Sequence, residues 1–550
     1  MTIAIRFSLV ILSLTMAIGC QRQGDEPVTV PVNILDERNE RTAARVRFTD
    51  MNGNYLAPIG QQADFPITKA NGQESTEQGA VLDDDRRFAY VDGQFEIILS
   101  SDSVRVEVVK GFAYKIYDDT LIISELDKSI DIRLQKWFER PESNWYSGDV
   151  HVHYIDAETA LLQMKAENLN VCNVLISDFT IDHDKFSGNI EPKSEPEHII
   201  YFGQEYREHN LGHVNLLNLK DKLIEPSKTV REHQYPLNLS ASDQARKNNG
   251  HVSWAHFAAW PGLEGPLAMV LKKVDAVELL CTIDPFHEPI FASDVVPEVR
   301  MNSGLKLWYR LLNCGLSIPL TGGTDKMNNQ VTVGANRVFA QVEGEFNYDN
   351  WIKAINDGKT FVSNSPFISI KVDDEGPGAI IEASGEKEYQ ITAEVWSQLP
   401  IDRLEIVANG ELLAEKAISP NETHAQLTLS YRSRESVWIA ARAYELSRPY
   451  ARKGLSLAQR RDAGGGPTTL NKYFGTLRPE TVFAHTSPVY LLVDQQPVKS
   501  REDAKYFVRY LDNSMSWLEG FGSFPSEAAK KEVFDTYESG KEAFLKLAEE

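Results

Sequence analysis

The feature that most constrains this chain is a change of hydrophobic rhythm, met twice. From residue 31 to about 136, apolar side chains fall at every second position in short stretches such as ARVRFTD, GQFEIIL and VRVEVVKG, separated by Gly, Asp and Asn turns. A period of two belongs to a strand with one buried face, so a small β-sandwich is expected there. Between about 140 and 370 the rhythm gives way to compact apolar runs (VCNVLIS, HIIYFG, HVNLLNL, HVSWAH, AVELL, LSIPLTG) with helical spacing between them. Helices are expected at Ala157 to Asn168 and at Ser240 to Asn248, the second opening on a Ser cap. Such a pattern predicts parallel strands in an α/β domain, either a barrel or a doubly wound sheet. Past Pro366 the alternation returns in FISIKVD, YQITAEVW, RLEIVANG and VWIAARAYE, with a hairpin turn at Asn409-Gly410. That makes 371–497 a second β-sandwich, interrupted by the insertion SLAQRRDAGGGPTTLNKYFG, and 498–550 a helical tail with apolar residues at Ala504, Phe507, Val508 and Leu511.

A chain of 550 residues exceeds one ordinary core, so two to four domains are expected. With 42% hydrophobic and 25% charged residues it has enough apolar surface to fold throughout. The net charge of −22 would repel a phosphate backbone, so nucleic acid is not expected as the partner.

The first 20 residues carry Arg6, an apolar run from Phe7 through Ile18, then Gly19-Cys20 and the polar QRQGDEP. The run falls short of the roughly 20 apolar residues that cross a bilayer and reads as a signal peptide. Ala17-Ile18-Gly19-Cys20 resembles a bacterial lipobox, which implies acylation of Cys20 and anchorage to the cell envelope. Gln21 after the cysteine favours the outer membrane, and residues 21–30 read as a tether. The other cysteines, Cys172, Cys281 and Cys314, are odd in number, lie in apolar runs and are expected as buried thiols.

Ten of the twelve histidines lie between His151 and His287. The densest group is GDVHVH, in which His151 and His153, two apart on a strand, project from one face, with Asp149 expected as the carboxylate that orients them. Glu205 ends HIIYFGQE, His213 opens GHVNLLNL, His256 ends HVSWAH and Asp325 ends LSIPLTGGTD. Imidazole and carboxylate at strand ends suit zinc, manganese or iron, and a carboxylate can bridge two ions, so these six are expected to hold two divalent metal ions.

SGDVHVH, GQE followed by GHV, WAH and GGTD resemble the successive motifs of the polymerase-and-histidinol-phosphatase (PHP) superfamily. GANRVFAQVEGEFNYDNWIKAINDGKTFVSNSP resembles the close of the catalytic domain in its carbaryl-hydrolase-like branch, and the likeness covers roughly residues 144 to 372. The resemblance implies a distorted (β/α) barrel for the central domain; with the two β-sandwiches and the helical tail read from the hydrophobic rhythm, the expected chain is multidomain, α/β plus all-β. It implies one ion on His151, His153, Glu205 and Asp325 and a second on Glu205, His213 and His256. Two family histidines are replaced here, by Phe179 after Ser177-Asp178 and by Met327 after Asp325, which implies two ions where fuller members hold three.

Two ions about 3.5–4 Å apart lower the pKa of a water and stabilise charge on the attacked group. The expected activity is hydrolysis of a small-molecule phosphoester, or of a carboxyl or carbamoyl ester. Asp178 is a candidate for proton transfer, or equally a helix cap; Arg207 and His209 either contact substrate or are solvated; His183 either replaces a lost ligand or lies in a surface loop. Trp254, Trp260 and Pro261 either line a pocket or belong to the core. The alternative to an enzyme is a cell-surface binding protein built on a PHP-derived domain.

Overall fold

The computed structural model describes residues 27–59, 64–68, 74–82, 86–100, 103–122, 129–139, 144–178, 185–225, 231–282, 285–286, 302–446, 469–476 and 481–549. Cys20, the signal segment, most of the tether, His183, Phe179 and most of the expected insertion lie outside them. The described chain is mixed α/β and rich in strands, with several sheets and few helices.

The first strand runs Val28–Leu35, so the last residues assigned to the tether pair instead with the strand Gln94–Leu99, Val28 opposite Leu99 and Val30 opposite Ile97. The alternation VTVPVNIL already has strand rhythm, which is why the chain enters the sheet there. A three-stranded and a six-stranded sheet build this N-terminal region.

The central region holds seven neighbouring strands in the order Leu320–Gly322, Ala276–Leu280, His251–Trp254, Gly212–Leu217, Ile199–Glu208, Val171–Ile176 and Trp145–Val152. Six are parallel; Gly212–Leu217 runs antiparallel to both its neighbours. The expectation of uniformly parallel strands fails at this one because three residues, His209 to Leu211, join it to the strand before, too few for a crossover helix. Glu208 closes that turn, its carboxylate accepting the backbone N–H of Asn210 at 2.9 Å and of Leu211 at 2.6 Å. Gly212 has φ +119°, and a Cβ there would stand 2.4 Å from the Trp254 ring, so glycine is required on both counts. The two ends of the row meet: Val152 bridges Lys326 just past the last strand, and His153 donates its N–H to the Lys326 carbonyl at 2.9 Å.

The second helix is Asn238–Lys247 and starts two residues before the expected Ser240 cap. Glu264, from a distant turn, takes the first two free N–H groups, those of Asn238 at 2.9 Å and Leu239 at 2.8 Å, so no local cap is needed.

The central sheet does not stop at the domain edge expected near 370. It continues through Arg337–Gln341, Thr360–Ser363, Phe483–Thr486, Val437–Tyr444 and Arg403–Ala408 to Glu411–Ala417, facing a three-stranded sheet of Phe367–Val372, Lys387–Trp396 and His424–Ser433. Asn409 and Gly410 both have positive φ, as a two-residue hairpin of the mirror-image type requires. The two β regions, expected as separate flanks, share one apolar core, with Phe138 stacked on Phe367 at 4.3 Å and Phe112 edge-on to Phe474 at 4.9 Å. Buried Arg45 joins the N-terminal sheet to the end of the first central helix through Glu167, at 2.7 Å. Helices Arg501–Phe521 and Glu527–Glu549 pack against the central region and bury Tyr510, Leu511, Tyr537 and Phe544 in its core.

Candidate metal centre

Strand geometry brings the six expected ligands to one place. His151 is the last residue but one of the strand Trp145–Val152 and His153 follows the strand, so their rings share a face and their Nε2 atoms stand 3.1 Å apart. Glu205 projects from Ile199–Glu208 between them, Oε1 lying 3.6 Å from His151 Nε2 and Oε2 lying 3.4 Å from His153 Nε2. Asp325, in the left-handed region at φ +49°, brings Oδ1 to 3.5 Å from His151 Nε2 and 3.6 Å from His153 Nε2. On the other side His213 Nδ1 lies 3.0 Å from Glu205 Oε1 and 3.1 Å from His256 Nε2, which is itself 3.5 Å from the same oxygen. All six are buried, and Glu205 belongs to both groups.

The proton arrangement identifies what this cluster can hold. His153 Nδ1 lies 2.8 Å from the Leu175 carbonyl, which only accepts, so that nitrogen carries a proton and Nε2 is the atom turned to the cluster. His151 Nδ1 likewise faces Glu278 Oε2 at 3.0 Å. Both Nε2 atoms and the carboxylates of Glu205 and Asp325 thus converge on one place, and Asp325 Oδ1, though buried, has no hydrogen-bond donor. Such a group calls for positive charge at its centre. Burial works against a charged His151, yet Glu278, Asp325 and Glu205 together hold its pKa well above the ordinary imidazole range: the cluster draws in positive charge. Burial alone would raise the Glu205 carboxyl, but Arg207 and His151 hold it well below the usual carboxylate range. His213 is pushed down by burial to about 3 and stays neutral, the form that ligates. These buried His, Glu and Asp side chains could bind metal, and their donor set fits divalent zinc, manganese or iron.

Comparison with known proteins gives distant likenesses. No protein-family profile and no curated protein matches the chain. Among solved structures it is similar to PsfC from Pseudomonas syringae PB-5123, at 18% identity over 38% of this chain and 88% of that one, with a TM-score of 0.26. It is also similar to the lesion-specific endonuclease PfuEndoQ from Pyrococcus furiosus, at 13% identity over 38% of this chain and 56% of that one, with a TM-score of 0.25.

Asp149 does something other than expected. It does not reach the imidazole rings but accepts the His151 N–H at 3.0 Å, the Thr324 N–H at 3.0 Å and hydroxyl at 2.6 Å, and the Gly334 N–H at 2.9 Å. It therefore pins the loop that carries Asp325 to the strand that carries His151, and burial raises its carboxyl to about 6 against these four bonds. The ring of His151 is oriented instead by Glu278, which the sequence reading passed over; an acid in the middle of the apolar run AVELL is the signal that marks it.

Around the cluster, Arg207 places Nη1 3.4 Å from Glu205 Oε2 and keeps 13% of its side chain exposed. Asp178 is exposed, just past the strand Val171–Ile176. Trp254 belongs to the core, whereas Trp260 is half-buried, 5.5 Å from the His213 ring and 4.4 Å from exposed His209. Tyr154, unremarked in the sequence, follows the histidine pair at φ +57°, a strained position for a tyrosine. Cys172, Cys281 and Cys314 are buried, as expected.

Proposed function

We propose that this chain is a metal-dependent hydrolase of the PHP type, its seven central strands forming a distorted barrel around a centre for two divalent ions that Glu205 would share. The observation that carries the reading is the convergence of four imidazoles and Asp325 on one buried carboxylate. His151, His153, Glu205 and Asp325 would hold one ion, and Glu205, His213 and His256 the other. Bound there, the pair would supply Lewis acidity and a water of lowered pKa.

The chain's own residues provide the rest. Arg207 offers a partly exposed guanidinium beside Glu205, placed to bind an anionic oxygen of a phosphoester, and a carbonyl oxygen of a carboxyl or carbamoyl ester would use the same contact. Asp178, exposed at the strand end, is placed to take and return the proton of the attacking water. Trp260 covers the His213 side and limits solvent there. Acylation of Cys20 would tether this chemistry to the bacterial envelope with small-molecule esters as substrates.

The test is a metal analysis of protein starting after Cys20, with hydrolysis of p-nitrophenyl phosphate and acetate followed in parallel. The reading expects about two equivalents and turnover of at least one ester, with Glu205→Ala losing both ions. Full metal content in Glu205→Ala would refute the bridge.

A further inference from the structure

We propose that Glu278 is a positioning residue that braces one ligand of each ion through a single carboxylate oxygen; the proposal rests on the two-ion reading above. Glu278 lies in the strand Ala276–Leu280, whose five residues are all buried, and is itself 0% exposed. A carboxylate in such a strand is costly unless its bonds repay the desolvation. Its Oε2 makes two bonds, and both lead to the metal cluster.

The first runs from His151 Nδ1 at 3.0 Å. It fixes the tautomer and turns Nε2 towards Glu205 and Asp325. The second runs from the backbone N–H of His256 at 2.6 Å. His256 lies two residues past the strand His251–Trp254 with φ +31°, so this bond holds a strained backbone in the turn that aims its ring at His213 and Glu205. The opposite oxygen, Oε1, packs on Gly323 in the loop leading to Asp325, where a Cβ would stand 2.4 Å away. One side chain thus touches three of the segments that deliver ligands.

Glu278 also lies with His151 and Cys281 in a group whose ligand atoms fall within 4.8 Å of one another. That group is not a third metal site, because His151 Nδ1 already donates to the carboxylate. Its position is that of the carboxylate behind a metal-bound imidazole, which raises ligand basicity and whose loss typically weakens metal binding 10–100-fold.

The experiment titrates metal-free protein with Zn²⁺ against a competing chelator for the wild type, Glu278→Gln and Ser253→Ala. Ser253→Ala removes a buried hydroxyl pair with Thr321, 2.7 Å long, in the adjoining strand and touches no ligand. Glu278→Gln is expected to reach the same stoichiometry at saturation but with at least one ion held roughly 10–100-fold more weakly, while Ser253→Ala matches the wild type. Wild-type protein that takes up no metal would remove the two-ion reading. Wild-type protein that binds two ions with affinities unchanged in Glu278→Gln would overturn the role of Glu278 alone. Should that variant not fold, a ¹H–¹⁵N spectrum of histidine-labelled, metal-loaded wild type decides: the proposal expects the His151 Nδ1–H to be shifted far downfield and slow to exchange, as a proton bonded to a buried carboxylate is, and a freely exchanging Nδ1–H overturns it.

Discussion

Gly323 offers the sharpest perturbation of the cluster that leaves every ligand in the sequence. A Cβ at this position would stand 2.4 Å from Glu278 Oε1, 2.7 Å from His151 Cβ and 2.9 Å from His151 N. Two of those three atoms belong to the backbone or to the first carbon of a ligand, so neither can swing aside as a side-chain tip does. Relief must come from moving the strand that carries His151, the loop that carries Asp325, or the Glu278 carboxylate. Overpacking of this kind costs about 1–3 kcal/mol. If metal-free Gly323→Ala relaxes by displacing ligands, the whole cost reappears on metal binding, roughly fivefold to 150-fold at about 1.4 kcal/mol per tenfold. The assay is chelator competition on Gly323→Ala beside Gly376→Ala, whose added Cβ meets nothing within 4 Å. The reasoning is refuted if Gly323→Ala binds metal as tightly as Gly376→Ala and melts at the same temperature.

Two further predictions concern the supports of the site. Lys110 donates to the carbonyls of Ala43 at 2.9 Å and of Lys165, in the last turn of the first central helix, at 2.7 Å, and burial lowers it to about 8 although Glu167 opposes the shift. Between about pH 8 and the ordinary lysine value of 10.5, the unfolded chain holds a proton that the folded one lacks. Stability from this group therefore rises with pH across that window, by at most roughly 3 kcal/mol, and is lost again as pH falls to 8; denaturant unfolding at pH 8 and 10 should show that rise in the wild type but not in Lys110→Met. Tyr510 donates to the Gly262 carbonyl at 2.6 Å, and Ser514 to that of Leu263 at 3.2 Å, so the C-terminal helices hold the turn that follows Trp260. Tyr510→Phe should keep full metal content, lose about 1 kcal/mol of stability and change the Trp260 fluorescence response to substrate; loss of metal would place the tail's role elsewhere.

The six proposed ligands could be picked out in the sequence because each ends or begins an apolar run, and because His151 and His153 have the spacing of one strand face. The Asn409-Gly410 hairpin was legible for a similar local reason. What escaped was set by partners remote along the chain. Glu264 caps a helix more than 20 residues away, which no inspection of Ser240 reveals. Glu278 orients His151 from across the sheet, whereas Asp149, next to it in sequence, only ties backbone to loop. The continuation of the central sheet into the C-terminal strands and the core shared by the two β regions likewise depend on pairings that periodicity does not encode.

The most direct measurement is the count of metal ions bound per chain, taken by elemental analysis on dialysed wild-type protein and on Glu205→Ala. Two ions in the first and none in the second is the result expected of a bridged pair. A wild-type chain that retains no zinc, manganese or iron after loading would contradict the account.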